Sequence, residues 1–391
     1  MAANALASLV PTIYEALDLV SGEPAGFLTS VDRDLDASRV ALNQTIMSPV
    51  TPPLTAVNVT PGATTPDYTG VVIGNAPISL TKQRAVPFGF TGEETLSLQG
   101  SPRVQPYNTI KRDLIAQAIR TLRNEIEADL AALIRVNVSR FYGTAGSTPF
   151  GTAGDLSDLA QLIKILQDNG CPISGPNDMK LVLPTAFSAN LRGKQASLFR
   201  VNEAGTDDLL RRGTLGDIEG FRVGESAQLT GPITKGTGAS YTTSAAGFPV
   251  GTTSIPLITG TGTILAGDTI TIAGDTNRYT VVTGIAAPGT IVIASPGLRV
   301  AVAAAATAVT VGNNFTPGVA FHRSAFKLAA RLTALPEGGD VASDRLIIPD
   351  PVSGLPFEFA IYPQYRQVRY EVALAWGSAA IAQRHGAGLL G

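Results

Sequence analysis

The sequence predicts an α+β chain organised around one long helix, with an all-β barrel inserted into its second half. Three observations carry that expectation. Ile110, Leu114, Ala118, Leu122, Ile126, Leu130 and Leu133 recur three or four residues apart, the period of an amphipathic helix. The block 226–316 holds only Lys235, Asp268, Asp275, Arg278 and Arg299 as charged side chains, and alternates in TITIAGDTNRYTVV, GTIVIAS and AVTVGN. The 391 residues include 41 Gly and 26 Pro, which demand many turns and extended segments.

Residues 3–20 fit a short amphipathic helix with Leu6, Leu9, Ile13 and Leu17 on roughly one face, interrupted at Pro11. Up to residue 67 the chain is rich in Pro and Gly, including Pro52-Pro53, and reads as an extended N-terminal arm (1–67). An extended β-hairpin loop is expected over 68–107, with Val71, Val72 and Ile73 turning at Gly74-Asn75 into Ile78, Ser79 and Leu80. Phe88 and Phe90 stand two apart, hence on one face of a strand, and Glu93 and Glu94 close the segment. Asn108 or Thr109 can cap the long helix and Gly143 can end it. At 1.5 Å per residue such a helix is about 50 Å long, a strut shared between regions.

The segment 108–225 continues as mixed α/β: a helix in DLSDLAQLIKILQDNG, a buried strand in MKLVLP, a short helix in TAFSANLR, and strand, turn and strand around Gly220. The block 226–316 is expected to fold as an autonomous barrel. The remainder, 317–391, resumes the interrupted region, with a helix over 321–331 and a strand-rich, aromatic end.

Composition narrows function. Lys+Arg 29 against Asp+Glu 31 leaves a formal charge of −2, which excludes a coat that condenses nucleic acid by bulk charge. Charged residues are only 15%, against a norm of about 25%. A chain this poor in charge either buries much of its surface in partners or exposes many Thr, Ser and Gly. Cys171 is the lone cysteine, so neither an intrachain disulfide nor a cysteine-built metal site is available, and His322 and His385 are too few for a common zinc site. MAANALASLVPTIYEALDLV lacks the basic and apolar regions of a signal peptide, and Val300 to Val311 is too short to span a bilayer, so a cytosolic origin is expected.

No catalytic, cofactor-binding or metal-binding residue is assigned, and no enzyme is expected. Gly236-Thr237-Gly238 and Gly260-Thr261-Gly262 lie in β sequence with no following helix, so they read as turn glycines, not a phosphate loop. Neither histidine accompanies a GxSxG elbow. Adjacent Glu93 and Glu94 point to opposite faces if extended, which spoils shared acid–base work. Arg211-Arg212, Arg366 and Arg369 form no basic stripe and read as solvated or subunit-pairing side chains. Glu15 and Asp18, one turn apart, read either as solvated surface acids or as the seat of a basic helix, and with Phe88, Phe90, Glu93 and Glu94 they are the candidate assembly contacts.

The order of these features resembles the major capsid (coat) proteins of tailed bacteriophages, which share the Hong Kong-97 fold. The resemblance rests on SLVPTIYEALDLVSGEPAGF, ISLTKQRAVPFGFTGEE, GTLGDIEGFRVGES, GDTITIAGDTNRYTVV, GVAFHRSAFKLAAR and VRYEVALAWGSAAIAQRHGAGLL, which together span nearly all of the chain. It is strongest to the short-tailed-phage coat branch with an inserted β-barrel. The resemblance implies an N-arm, extended loop, spine helix, and peripheral and axial domains. It also implies pentamers and hexamers built with a scaffolding protein and a portal protein, sometimes a decoration protein, and closed around double-stranded DNA. The implied location is the virion, after assembly in the host bacterial cytoplasm. A covalent cross-linking trio of Lys, Asn and Glu is not located, and no cleavable N-terminal scaffold segment is evident. The competing reading is a secreted β-rich carbohydrate-binding or adhesion protein, with a hydrolase a distant third.

Overall fold

A computed structural model describes residues 23–51, 71–99, 106–173, 178–195, 215–229, 231–350 and 353–391, with isolated positions between them. The expected helix at 3–20, with Glu15 and Asp18, lies outside the described residues, as do Pro52-Pro53 and Arg211-Arg212.

In chain order, helix α1 (Gly26–Ser30) leads into strand β1 (Asp32–Val40), then β2 (Thr45–Val50), β3 (Gly74–Ser79) and β4 (Lys82–Thr91). Helices α2 (Gly92–Gln99) and α3 (Pro106–Val136) follow, then β5 (Arg140–Gly143), α4 (Ser157–Asp168), β6 (Met179–Leu183) and α5 (Thr185–Lys194). Short β7 (Asp217–Ile218) and β8 (Phe221–Glu225) precede six strands, β9 (Ala239–Thr243), β10 (Ser254–Thr261), β11 (Thr269–Ile272), β12 (Arg278–Thr283), β13 (Thr290–Ile293) and β14 (Ala308–Val311). The chain ends with β15 (Pro317–His322), β16 (Phe326–Thr333), β17 (Asp344–Pro349), β18 (Pro356–Gln364), β19 (Gln367–Ala380) and β20 (Gly386–Leu390). Two 3₁₀ turns, Arg323–Ala325 and Gln383–His385, join β15 to β16 and β19 to β20.

Three sheets result. An open sheet runs β1-β16-β19-β18-β17, with β4 along the other side of β19. A second sheet runs β12-β5-β20-β15-β6-β8-β7, and at β12 it merges into a closed ring, β11-β14-β9-β10-β13-β12 and back to β11. The third is the two-stranded ladder of β2 and β3.

Helix α3 packs on β19 and β4. Its Leu122, Ile126 and Leu130 are fully buried in the largest core, with Trp376, Phe326 and Phe357. Its apolar stripe follows the predicted one as far as Leu130, then closes on buried Ile134, not on Leu133; Pro106 suits a first helical turn because it has no N–H to leave unpaired. A smaller core joins α4 and α5 to the second sheet through Leu162, Leu166, Phe187, Phe221 and Leu389. The ring encloses a third core of Tyr241, Ile255, Ile270, Tyr279 and Ile291.

Four expectations need correction. Helix α3 ends at Val136, not at Gly143: the Asn137 side chain donates to the Leu133 carbonyl at 2.8 Å, and Arg140–Gly143 becomes a strand between β12 and β20. The apolar run around 321–331 is strand, 3₁₀ turn and strand. Both faces of β15 are buried, so its sequence lacks the alternation that marks a strand. The 71–80 segment makes no hairpin of its own, because Gly74 and Asn75 start β3, which pairs with β2 in the register Thr45↔Ser79 to Val50↔Gly74. The arm is likewise not all free-standing, since β1 pairs in parallel with β16. A boundary at residue 67 falls between the two strands of the β2–β3 ladder.

Candidate assembly surfaces

Phe88 and Phe90 are brought together, on the inner side of β4. Phe88 stacks on Tyr370 at 5.4 Å between ring centroids and Phe90 meets the same ring edge-on at 6.5 Å. Phe359 stacks on Tyr370 from β18 at 5.9 Å, and Lys111 of α3 places its ammonium 4.4 Å from that ring. Phe90 is thus core, while Phe88 is half-buried. Thr91 and Glu94 form a capping box: the Thr91 amide donates to the Glu94 carboxylate at 2.8 Å and the Glu94 amide donates to Thr91 Oγ1 at 3.2 Å. Glu94 is buried in that role, so the adjacent glutamates occupy a helical turn, not a strand, and Glu93 alone of the pair faces outward.

The β2–β3 ladder presents apolar side chains to solvent. Met47 is 60% exposed, and Val72 and Ile73, just before β3, are 83% and 63% exposed. Ile78 of the same ladder is fully buried against Leu80 and Ala375, so the base is anchored while Met47 stays uncovered.

The edges of the open sheet carry ion-pair clusters that the sequence reading did not single out. Glu358 of β18 is 2% exposed and receives Arg39 of β1 at 2.6 Å and Arg345 of β17 at 2.7 Å. Burial pushes its carboxyl up, but the hydrogen bonds from Arg39 and Arg345 outweigh that and hold it below its ordinary value. Arg345 also pairs with Asp340, whose carboxyl is held down at about 2, first by that bond. Arg331 of β16 donates to Asp34 of β1 at 2.8 Å. On the helix side, Lys82 meets Asp129 at 2.5 Å, Arg84 meets Glu125 at 3.0 Å, and Trp376 donates its indole N–H to Asp129 at 2.8 Å. The available signal was Glu358 itself, a carboxylate set in the apolar strand PFEFAIY.

Glu127 of α3 is also buried, accepting the amides of Phe27 and Leu28 at 2.9 and 2.8 Å; desolvation raises its carboxyl above the ordinary value despite those bonds. It fastens α1 to the long helix.

The other singled-out residues have local roles. Cys171 is buried, and desolvation raises its thiol to about 11, far from a reactive thiolate. His322 Nδ1 lies 2.7 Å from Ser324 Oγ and accepts the Ser324 amide at 3.2 Å, a cap on the 3₁₀ turn. Arg369 pairs with Glu371 at 3.2 Å, and the Arg366 guanidinium lies 5.7 Å from the Tyr365 ring centroid. A Cβ on Gly260 would fall 2.4 Å from the Tyr241 ring, so this glycine permits close packing in the barrel. Among the described residues no three His, Cys, Asp or Glu are grouped to hold a metal, and no helix is long and apolar enough to cross a membrane.

No family model matches the sequence, and no curated protein matches it. Solved structures do match in fold. The capsid of Cyanophage P-SCSP1u aligns over 95% of this chain and 89% of its own at TM-score 0.50 and 10% identity. The mature capsid of bacteriophage PhiM1 aligns over 93% and 86% (TM-score 0.48, 11% identity), and a Mycobacterium phage Che8 structure over 90% and 88% (TM-score 0.44, 12% identity). The cyanophage likeness places the chain in the fold class of phage capsid chains.

Proposed function

We propose that this chain is the major capsid protein of a tailed bacteriophage, a non-enzymatic subunit that self-assembles as pentamers and hexamers into an icosahedral shell around double-stranded DNA. The observation that carries the reading is the shared fold with the cyanophage capsid over 95% of the chain. Within it, the β2–β3 ladder serves as the extended loop of the Hong Kong-97 fold, α3 as the spine helix, the open sheet as the peripheral domain and the second sheet as the axial domain. The ring of β9–β14 is the inserted domain of the short-tailed-phage coat branch. Exposed Met47 and Val72 favour burial against a neighbouring subunit. Glu93 then meets a basic residue of a neighbour, and Glu15 and Asp18 receive a scaffolding protein. A portal protein and, in some assemblies, a decoration protein complete the partners, in a virion assembled in the bacterial cytoplasm.

Electron microscopy of the purified full chain, alone and co-expressed with a scaffolding protein, tests the reading. Closed shells, tubes or capsomers are expected; monodisperse monomers under every condition would overturn it. Charge reversal at Glu15 and Asp18 is expected to reduce scaffold incorporation at low salt, and unchanged incorporation would remove those two residues from the interface.

A further inference from the structure

The only two histidines of the chain meet where the chain passes between its two large sheets. β15 continues into β16 through Arg323–Ala325, and β19 continues into β20 through Gln383–His385. The two 3₁₀ turns are bound to each other, since the amides of Ile381 and Ala382 both donate to the Ala325 carbonyl, at 2.8 and 3.1 Å. His322 and His385 are 8% and 7% exposed, and their rings meet edge to face at 6.1 Å between centroids.

Both rings are built to be neutral. His322 Nδ1 accepts the Ser324 amide, so a proton on that atom removes the cap of the first turn. Neither ring nitrogen of His385 has a hydrogen-bond partner among the described residues, so its imidazolium would be buried without an acceptor. The surrounding charges favour cations poorly: Arg323 stands beside His322, Arg384 beside His385, and Asp178, which raises His322, is opposed by Arg323. Lys180 of β6 faces the same charges, and Asp32 and Arg33 of β1 line a cavity of about 350 Å³ with Asp178, Lys180 and Arg323. Cys171 is neutral there.

We infer that this double crossing is an acid-sensitive joint: taking protons onto His322 and His385 separates the two 3₁₀ turns and frees the open sheet to move against the second sheet. Desolvation, with the neighbouring Arg384, holds His385 at about 4 in the closed joint, and desolvation lowers His322 in the same direction. The folded values lie below the ordinary 6.5, so an open joint binds more protons. Closure is therefore favoured above pH 6.5 and weakens as pH falls through the window down to about 4. The inference stands on this chain's own geometry and holds whether or not the chain forms shells.

Hydrogen exchange read by mass spectrometry on the full chain tests it, with peptides covering the two turns. Opening at Ser324, Ile381 and Ala382, corrected for intrinsic exchange, is expected to rise below pH 6.5 by up to about tenfold per pH unit for each ring that takes a proton, while α3 peptides stay protected. His385→Phe keeps a ring without titrating nitrogens and is expected to flatten that rise; His322→Asn, which can still cap, is expected to reduce it. Wild-type protection that stays constant down to pH 4 would overturn the joint. So would an unchanged pH dependence in a folded His385→Phe, or NMR titration of both imidazoles near 6.5 in the folded chain.

Discussion

The barrel of β9–β14 and the open sheet around β19 solve the same problem, the pairing of backbone groups at the margins of a sheet, in opposite ways. The barrel closes on itself through β11 and β12, so it has no edge strand to protect and can be built almost without charge. Its polar side chains serve its own turns: Asp268 accepts the amides of Gly236 and Leu265, and Tyr279 donates to Asp275 at 2.5 Å while accepting the Arg299 amide at 2.8 Å. The open sheet keeps three edges, β1, β4 and β17, and places most of its charges there: Asp32, Arg33, Asp34, Asp36 and Arg39 on β1, Lys82 and Arg84 on β4, Asp344 and Arg345 on β17. Charged edges oppose unplanned strand addition, and in this sheet the same residues tie the edges to the interior through Glu358, Arg331 and Asp129. The difference teaches that low overall charge here is concentrated in one closed region, not spread evenly.

The largest effect expected is on the helix beneath the open sheet. Leu122→Ala or Ile126→Ala should cost about 2–5 kcal/mol, read by fluorescence of Trp376, the single tryptophan, during chemical denaturation. A loss below about 0.5 kcal/mol would show that α3 is not packed as described. Next, Glu358→Ala leaves Arg39 and Arg345 without their shared partner. About 2 kcal/mol is expected, less than for a fully buried pair because both arginines retain some exposure. The same substitution should leave barrel amide exchange unchanged; a loss there would dissolve the distinction between the regions.

Tyr279→Phe is the counterpart in the barrel, removing bonds to Asp275 and from the Arg299 amide, with about 1–2 kcal/mol expected in barrel exchange. The pH response separates the regions by sign. Glu358 lies below its ordinary 4.5 when folded, so its stabilisation is present above pH 4.5 and is lost as pH falls through the folded value. Asp268 is raised above its ordinary 3.8 by burial, so its contribution weakens as pH rises through the interval above 3.8. NMR titration of the two carboxyls should give midpoints on opposite sides of those ordinary values, and midpoints displaced in one direction would remove the contrast. The smallest effect is that of salt: Lys82–Asp129 and Arg84–Glu125 are partly exposed, so screening should lower the denaturation midpoint of the open sheet only slightly, and that of the barrel less still.

The parts legible in the sequence are those whose signal is local. The stripe Leu122, Ile126, Leu130 repeats within a few turns, and TITI followed by RYTVVT is the pair β11 and β12 joined by a short turn. The strand β15 hid because burial on both faces erases alternation, and the close of α3 at Asn137 hid because the residues that end it also continue its apolar pattern. Glu358 stood out as a carboxylate in an apolar strand, but its partners were out of reach for a different reason: Arg39 lies 319 residues away, and no period connects them. Of the candidate contact residues, the spacing of Phe88 and Phe90 gave their common face, while the capping role of Glu94 required reading TGEE as the start of a helix.

The parallel pairing of β1 with β16 has a consequence for how the chain is made. Asp32 sits opposite Lys327 and Val40 opposite Thr333, so a strand synthesised near the beginning finds its partner only after more than three quarters of the polypeptide exists. Until then β1 leaves the ribosome without a neighbour, and its alternating acids and arginines keep it soluble and unattractive to other nascent strands. The barrel, whose contacts are closer in sequence, can form first, which makes the docking of β1 a late, slow event set by contact order.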